Sequence, residues 1–323
     1  MNRARNSGMS LPELMIAMAL GLIIVGGMAT LFVESRRNFS QDEIIATMQQ
    51  EGRFAMNELQ REVSMAGFWG PMLAGTLLGN DATLAGVAFT EYESPILALD
   101  NAAGAQAFDW SVNLDDLVPT SDAISIRRVE GVRTSDTTAD TLAELGIAAA
   151  EDALDANAYY LQTNGTVGVM LPGSAAPNSA VPTPYEYWEY AATIWYVRSY
   201  CRAGDNIPSL VRRYWDSDTA SVETDCMAQG IENMQVEFGL DDDDDGFPEQ
   251  WVTNVDTANS EELAAVRIFL LSRGTQLTQG YTNGKSYDIS NLPTYTPADG
   301  YFRRVFTTTI QTRNPIAARL ITN

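Results

Sequence analysis

The sequence predicts an α+β fold in which one long N-terminal α-helix packs on a β-rich domain with an antiparallel sheet. Apolar residues recur every three or four positions as far as Ala66, which is the period of an amphipathic helix. From Tyr185 onward, aromatic and β-branched residues dominate, as is typical of strands. An uncharged apolar run from Leu14 to Val33 is long enough, as a helix, to cross the ~30 Å core of a bilayer.

Charge and composition narrow the class of protein. The 323 residues include 42 acidic and 20 basic side chains, for a net charge of −22. A protein so acidic lacks the basic patch that a phosphate backbone requires, so we expect no nucleic-acid partner. There is no histidine, which removes the commonest general base and zinc ligand. No nucleophile elbow, phosphate loop or CxxC motif occurs either, and we expect no catalysis.

The N-terminus predicts a membrane segment. Arg3 and Arg5 precede the apolar run over 14–33 and should keep the N-terminus in the cytoplasm, so that the rest of the chain emerges on the other side. The run is longer than a usual signal-peptide core, and no small-x-small cleavage site follows it. These features disfavour a cleaved secretory signal but leave a plain signal anchor open.

Glu13 distinguishes between these alternatives, because a carboxylate at membrane depth needs a partner. The stretch Gly8-Met9-Ser10-Leu11-Pro12-Glu13 resembles the processing site of type IV prepilins. The resemblance implies that residues 1–8 are a leader, that a prepilin peptidase cuts after Gly8, and that the new N-terminal Met9 is methylated. It also implies that Glu13 of one subunit neutralises the Met9 amine of its neighbour inside the apolar filament core.

The predicted helix covers 9–66, with its transmembrane part over 14–33. Its second half carries one apolar stripe: Ile44, Ile45, Met48, Gly52, Ala55, Met56, Leu59, Val63 and Ala66. The stretches 49–56 and 61–70 (QQEGRFAM and REVSMAGFWG) resemble the end of this helix in PilW-type minor pilins. Many members have a cysteine after the last glycine, where this chain has Pro71. The resemblance makes 67–323 a β-rich pilin head.

Strands are predicted at Ala123–Val129, Ala158–Thr163, Thr166–Leu171, Tyr187–Tyr200, Leu210–Trp215, Met234–Leu240, Ala264–Ser272 and Tyr301–Thr312. A short acidic helix is predicted at Thr141–Ala156, within a segment, 71–184, whose pattern is otherwise weak. The stretch Tyr301–Asn314 resembles the closing strand of PilW-type subunits. We expect one face of the sheet to pack on the helix and the other to be partly exposed.

Cys201 and Cys226 are the two cysteines of the chain. Outside the cytoplasm a disulfide is the expected state, and two buried thiols are the alternative. Metal binding by two cysteines without histidine is not expected. The arginines at 198, 202, 212, 213, 303 and 304 pair with local carboxylates in one interpretation and form a docking patch in the other.

Five consecutive aspartates, residues 241–245, precede Gly246. Asp241, Asp243 and Asp245 have the spacing of the first half of an EF-hand calcium loop, with the Phe247 carbonyl and Glu249 as further oxygen ligands. Position twelve of such a loop is Val252, so the usual bidentate glutamate is missing, and helical flanks are absent because a strand pattern precedes the loop. The loop either binds a structural calcium ion, the one possible cofactor of the chain, or is an acidic turn between two strands.

The resemblance implies a minor pilin needed for assembly and priming of a type IV pilus, located at or near its tip and supporting twitching motility and adhesion. The implied partners are other minor pilins, the major pilin, a large tip adhesin and the prepilin peptidase and methyltransferase. The implied location is the inner membrane, with the head in the periplasm, and then the extracellular pilus. The rivals are a J-type minor pseudopilin of type II secretion, a membrane-anchored periplasmic enzyme and a calcium-dependent binding module.

Overall fold

The computed structural model describes residues 10–72, 76–80, 95–102, 107–108, 112–136, 154–243, 245–255 and 262–314. It contains one helix, α1 (Leu11–Met65), and fifteen strands among these residues. The strands are β1 (Thr76–Asn80), β2 (Ile96–Ala102), β3 (Ala107–Phe108), β4 (Val112–Asn113), β5 (Ser121–Val129), β6 (Ser135–Asp136), β7 (Tyr159–Thr163), β8 (Val167–Pro172), β9 (Glu186–Arg198), β10 (Ser209–Asp216), β11 (Ser221–Gln229), β12 (Ile231–Leu240), β13 (Gln250–Val252), β14 (Leu263–Arg273) and β15 (Arg303–Gln311).

The predicted α+β class is confirmed, and the β-rich part has two main sheets rather than the single sheet expected. A nine-stranded sheet follows the path β1-β8-β7-β9-β10-β11, and β5 extends it by pairing with both β9 and β2. Its β1–β8 pair is parallel, and its other pairs are antiparallel. A four-stranded antiparallel sheet has the order β13-β12-β14-β15.

The chain divides into two compact units, one ending at Thr47 and one beginning at Met48. The first contains the apolar part of α1. The second contains the rest of α1 and all of the strands, because the apolar stripe of the helix from Met48 onward contributes to the core of the β-rich part. The division falls inside the helix, and the second half of the helix packs on the β-rich part as expected.

The main core of the second unit combines α1 with both sheets. Ala55, Leu59 and Val63 of α1 belong to one buried cluster with Ile126 of β5 and Ile268 of β14. A second cluster lies in the nine-stranded sheet, around Tyr196, Ile194 and Leu161. The β-rich part is therefore built from two layers of sheet with the second half of α1 packed against them.

The four-stranded sheet has the two faces that were expected. Val266, Ile268 and Leu270 belong to the cluster that contains α1. On the other face Leu271 packs with Tyr287 and Ile289 from the segment between β14 and β15, so this face is partly covered.

The eight predicted strands are present, and no end is shifted by more than three residues. The strand β11 was missed, because SVETDCMAQ mixes charged and small residues and has little alternation. Residues 141–153 of the predicted acidic helix lie outside the described residues, and residues 154–156 at its end are not helical.

Candidate functional site

The N-terminal end of α1 contains Glu13, the residue expected to act in assembly. The Ser10 amide and the Ser10 hydroxyl both donate to Glu13 Oε2, each at 3.1 Å. A glutamate in the third helical position that accepts the amide of the N-cap residue is one half of a capping box. Within one chain, Glu13 therefore stabilises the start of the helix. Gly8 and Met9, the predicted processing residues, lie outside the described residues.

The apolar part of α1 has a composition that suits a membrane. It contains a window with a mean hydropathy of 2.4, and none of that window is buried. The side chains of Leu22, Ile23 and Leu31 are each more than two-thirds exposed. By length and composition this helix can cross a bilayer.

Gly52 marks the closest approach between α1 and the four-stranded sheet. A β-carbon added at this position would lie 2.3 Å from a ring carbon of Phe306 on β15. Only glycine therefore allows this contact without a shift of the ring. One turn of the helix is held in addition by Glu51, whose Oε2 accepts the Gln229 amide at 3.0 Å.

Glu62 forms a buried charged contact between α1 and β5 that sequence reasoning missed. Its side chain is 2% exposed, and its carboxylate lies 3.4 Å from Nε of Arg128, which is 13% exposed. Arg128 also pairs with Glu130 at 3.2 Å. A glutamate at the edge of an apolar helical stripe was the available signal, since charged residues at such positions are buried only when they are paired.

The end of α1 is fixed by the aromatic GFWG stretch that follows it. Gly67 and Gly70 have positive φ angles of 70° and 63°, which end the helix and turn the chain. Phe68 packs edge-on against Trp188 at 6.0 Å, and Trp69 stacks on Tyr190 at 6.2 Å.

The last residue of the closing-strand stretch returns to this helix end. Asn314 Nδ2 donates to the Ala66 carbonyl at 3.0 Å and so satisfies a carbonyl group just beyond the end of α1. The helix-end and closing-strand stretches of the sequence therefore meet twice, at Gly52 with Phe306 and at Ala66 with Asn314.

Cys201 and Cys226 form a disulfide, with their Cα atoms 5.4 Å apart. The interpretation as two buried thiols is therefore wrong. The bond joins the loop after β9 to the middle of β11, and Asp205 orders that loop by accepting the amides of Arg202 and Ile207 at 2.8 and 2.9 Å.

The acidic segment forms the connection between β12 and β13. Asp241, Asp243, Asp245 and Glu249 each place a carboxylate oxygen within 4.8 Å of those of the others. Asp241 Oδ2 accepts the Gly246 amide at 2.9 Å, and Asp245 Oδ1 accepts the Phe247 amide at 2.8 Å. Gly246 has a φ of 88°, which glycine adopts at little cost.

The strand predicted before this loop is present as β12, and the short strand β13 follows the loop. Val252, at position twelve of the EF-hand spacing, pairs with Phe238 in the β12–β13 ladder. A loop of hard oxygen donors with this irregular geometry fits calcium better than magnesium, which requires a near-ideal octahedron. Whether a cation binds here stays a prediction, as does the contribution of the Phe247 carbonyl.

The six arginines do not form one patch. Arg303 is 1% exposed and pairs with Glu232 and Asp299, Arg212 pairs with Asp225, and Arg213 pairs with Asp115. Arg198 donates to the carbonyls of Tyr200 and Cys201. The Arg304 guanidinium lies over the Phe306 ring, and Arg202 is exposed. Pairing with local carboxylates therefore accounts for three of the six.

Comparisons with known proteins identify both ends of the chain. Residues 3–29 match the prokaryotic N-terminal methylation motif, and residues 194–314 match the family described as Type IV Pilus-assembly protein W. Both of these regions are therefore similar to those of type IV pilin-like proteins. The domain match runs from β9 through β15 to Asn314, which includes the disulfide and the acidic loop. The methylation motif spans Gly8, Met9 and Glu13.

The chain was also compared with solved structures and with curated proteins. A type IV-like pilin from Thermus thermophilus is similar in structure, with a TM-score of 0.37 and 12% sequence identity over 83% of this chain and 96% of that chain. No curated protein matches the chain in sequence. The description of the matching family concerns pilus assembly and names no enzymatic activity. These matches give no support to the rival interpretation as a periplasmic enzyme.

Proposed function

We propose that this protein is a minor pilin that is built into a type IV pilus at or near its tip, where it supports assembly, priming, twitching motility and adhesion. The PilW match over residues 194–314, together with the methylation motif over 3–29, carries this proposal. A head of this size suits a subunit present in few copies. Its partners are the major pilin, other minor pilins and a large tip adhesin.

The route into the filament begins in the inner membrane. The apolar helix spans the bilayer once with the head in the periplasm, since Arg3 and Arg5 precede the span. The prepilin peptidase then cuts after Gly8 and Met9 is methylated. The span moves from lipid into an apolar filament core, an environment of the same polarity.

A clean deletion in the native host tests the pilus against its nearest rival. Surface pili and secreted enzyme activity are scored in the same strain. Lost pili with normal secretion support the minor pilin. Normal pili with lost secretion assign the protein to a type II secretion pseudopilus as a J-type subunit, and the proposed function is then wrong.

Glu13 provides a sharper test of assembly, because its two roles separate by substitution. Glu13→Gln keeps an oxygen that accepts the Ser10 amide, as glutamine does in capping boxes, but it loses the charge that pairs with a neighbouring amine. We expect Glu13→Gln and Glu13→Ala to be processed normally and both to be missing from sheared pili.

The control for this test is Ser10→Ala, which removes one hydrogen bond to Glu13 and keeps the charge. Processing is read from the mass of the mature N-terminus, including the methyl group. If Glu13→Gln enters pili as the native protein does, the pairing of amine and carboxylate is not required and the role of Glu13 is the helix cap.

We further propose that the acidic loop binds a structural calcium ion through Asp241, Asp243, Asp245 and Glu249, with the Phe247 carbonyl. Four carboxylates within 4.8 Å repel one another, and a divalent cation offsets that repulsion. If the affinity is that of extracellular modules, about 0.1–1 mM, then ~10 mM calcium stabilises the head by about 1.4–2.7 kcal/mol.

Urea unfolding of the full chain in detergent, with calcium, magnesium or EDTA, measures this effect. The double variant Asp243→Asn/Asp245→Asn should lose the response to calcium and gain stability in EDTA, since two like charges are removed. Asp218→Asn, on the exposed β10–β11 turn, is the matched control. Equal gains from calcium in all three proteins would leave the acidic segment as a plain turn.

A further inference from the structure

The two sheets meet along an edge of β12 that no strand covers among the described residues. β14 pairs with one side of β12 throughout, whereas β13 covers the other side only from Phe238 to Leu240. Below that point the start of β5 approaches. The Met234 amide donates to Ser121 Oγ at 3.1 Å, and the Val236 amide donates to Asp122 Oδ2 at 2.8 Å. We call these four residues the seam.

Side chains at the seam replace the missing strand. Alternate amides of an edge strand point to the same side, and each needs an acceptor when it is buried. Ser121 and Asp122 supply these acceptors, and Ser121 Oγ also lies 3.3 Å from the Met234 carbonyl. Both side chains are at most 2% exposed. Ser121 and Asp122 therefore supply the acceptors for the β12 amides, while the side chains of Asn233 and Gln235 on β12 donate to the Thr120 carbonyl just before β5.

Asp122 has a second connection, to β2. Its Oδ1 accepts the Asn101 amide at 2.8 Å, and Asn101 has a left-handed φ of 47°. Asp122 thus ties β2 to β12 through one carboxyl group. No arginine or lysine pairs with it among the described residues, which is unusual for a buried carboxylate.

The groups that surround Asp122 carry negative charge or none. On β2, Asp100 is the nearby charged group, and it accepts hydrogen bonds from Asn101 Nδ2 at 2.6 Å and Asn291 Nδ2 at 3.3 Å. Met234 and Val236 on β12 are uncharged. β9, which pairs with β5, contributes Trp195 and Val197 to the adjacent apolar cluster.

This corner of the head also has a buried acceptor without a donor. Asn101 Oδ1 is buried and accepts no hydrogen bond from the described residues. A proton carried by Asp122 is the kind of donor that this corner lacks. Burial without a cation and the neighbouring negative charge therefore favour the neutral acid, against the two amide hydrogen bonds, which favour the carboxylate.

Burial, with a smaller contribution from the Asp100 charge, raises the pKa of Asp122 from its usual 3.8 to about 7 against the lowering effect of the Asn101 and Val236 amides. Between these two values the folded head keeps a proton that the unfolded chain has released. Stability from this group is therefore complete below about pH 4 and falls as the pH rises toward 7.

We propose that Asp122 is a proton-dependent joint between the two sheets: the protonated side chain closes the seam, and loss of the proton loosens β5 from β12. The device belongs to the fold of the head and does not depend on the assembly in which the protein acts. The contribution of Asp122 to the stability of the head is therefore greatest at acidic pH.

The test is the pH dependence of urea unfolding of the full chain in detergent, followed by tryptophan fluorescence from pH 4 to pH 8. One linked proton raises the unfolding equilibrium constant by up to about tenfold per pH unit. Other carboxyl groups also contribute to the total slope, so the comparison with Asp122→Asn isolates this site. We expect Asp122→Asn to be less stable than the native protein at acidic pH. Its unfolding equilibrium constant should also rise less steeply with pH, by up to about tenfold per pH unit. Asp218→Asn, an exposed aspartate, should keep the native slope.

Asp100→Asn provides a second test that keeps Asp122 in place. Removing the neighbouring charge should move the upper end of the pH window to lower pH, because less repulsion opposes ionisation of Asp122. If Asp122→Asn has the native slope, the proposal is overturned. If Asp122→Asn does not fold, an Asp100→Asn profile that superimposes on the native one overturns the proposal equally.

Discussion

Removal of the Glu62 carboxylate should weaken the attachment of α1 to β5 more than any exposed charge on the same helix. Glu62 is 2% exposed and pairs with Arg128, which is 13% exposed. Breaking a fully buried pair costs about 3–5 kcal/mol, because the remaining ion is left without compensation. Here Arg128 keeps Glu130 as a second partner, and the two contacts with Glu62 are both 3.4 Å long. We therefore expect Glu62→Ala to destabilise the head by about 2–3 kcal/mol.

Glu58 provides the matched control. It lies one turn earlier on α1 and pairs with Arg61, whose side chain is 61% exposed. Pairs of that kind contribute about 0–1 kcal/mol, so Glu58→Ala should change the stability little.

A double-mutant cycle with Arg128→Ala separates the pair from the loss of side-chain volume. Urea unfolding of the full chain in detergent, followed by tryptophan fluorescence, is the assay, since all six tryptophans lie beyond Met48 and so report on the head. The expected coupling free energy is about 1–3 kcal/mol. A coupling near zero, or equal costs for Glu62→Ala and Glu58→Ala, would show that the buried contact does not hold the helix.

Two further substitutions test other contacts of the head. Gly52→Ala gains about 1 kcal/mol of helix propensity but forces the Phe306 ring to move at a cost of about 1–3 kcal/mol, so we expect a net loss, whereas Gly26→Ala, with open space around it, should show only the gain. Circular dichroism melting compares the two, and an equal gain in both would mean that the ring yields freely. Cys226→Ala should cost about 3–4 kcal/mol, since the disulfide closes a loop with a sequence separation of 25, and the same loss should follow when the native protein is reduced. If reduction leaves the urea midpoint unchanged, the loop gains its order from Asp205 instead.

The elements that the sequence predicted well are those whose pattern is local. The apolar stripe from Met48 to Val63 repeats at helical spacing, and the side chains of β14 alternate between the α1 side and the other face. The repeat within each element therefore indicates its secondary structure. β11 has no such pattern and exists because the β10–β11 turn places it beside β10, with a left-handed Ala220 at the turn. The division into two sheets was not predictable for a related reason. It depends on the seam, where Ser121 and Asp122 act through contacts more than a hundred positions away in sequence.

The candidate site residues divide in the same way. The spacing of the aspartates in the acidic loop placed their carboxylates together correctly, because a short turn between two strands leaves little freedom. The disulfide was predicted from the compartment alone, without knowledge of β11. Glu62 and Arg128 were missed because each is a common residue on the surface of a helix or strand, and only the packing of α1 against β5 makes them a buried pair.

The packing of α1 brings together the helix-end stretch and the closing strand, the two stretches outside the N-terminus that resemble PilW-type subunits. The helix-end stretch supplies Gly52 and Ala66, and the closing strand supplies Phe306 and Asn314, which contact them. A change on one side of such a contact requires a change on the other, since the ring at Phe306 leaves no room for a side chain at Gly52. Among the described residues of 71–184, Ile96 of β2 and Ile124 and Ile126 of β5 belong to the buried cluster that contains α1. We therefore expect Gly52 to tolerate alanine once Phe306 is replaced by leucine, and the stability of that double variant, measured beside Gly52→Ala alone, decides whether the two stretches are coupled through this contact.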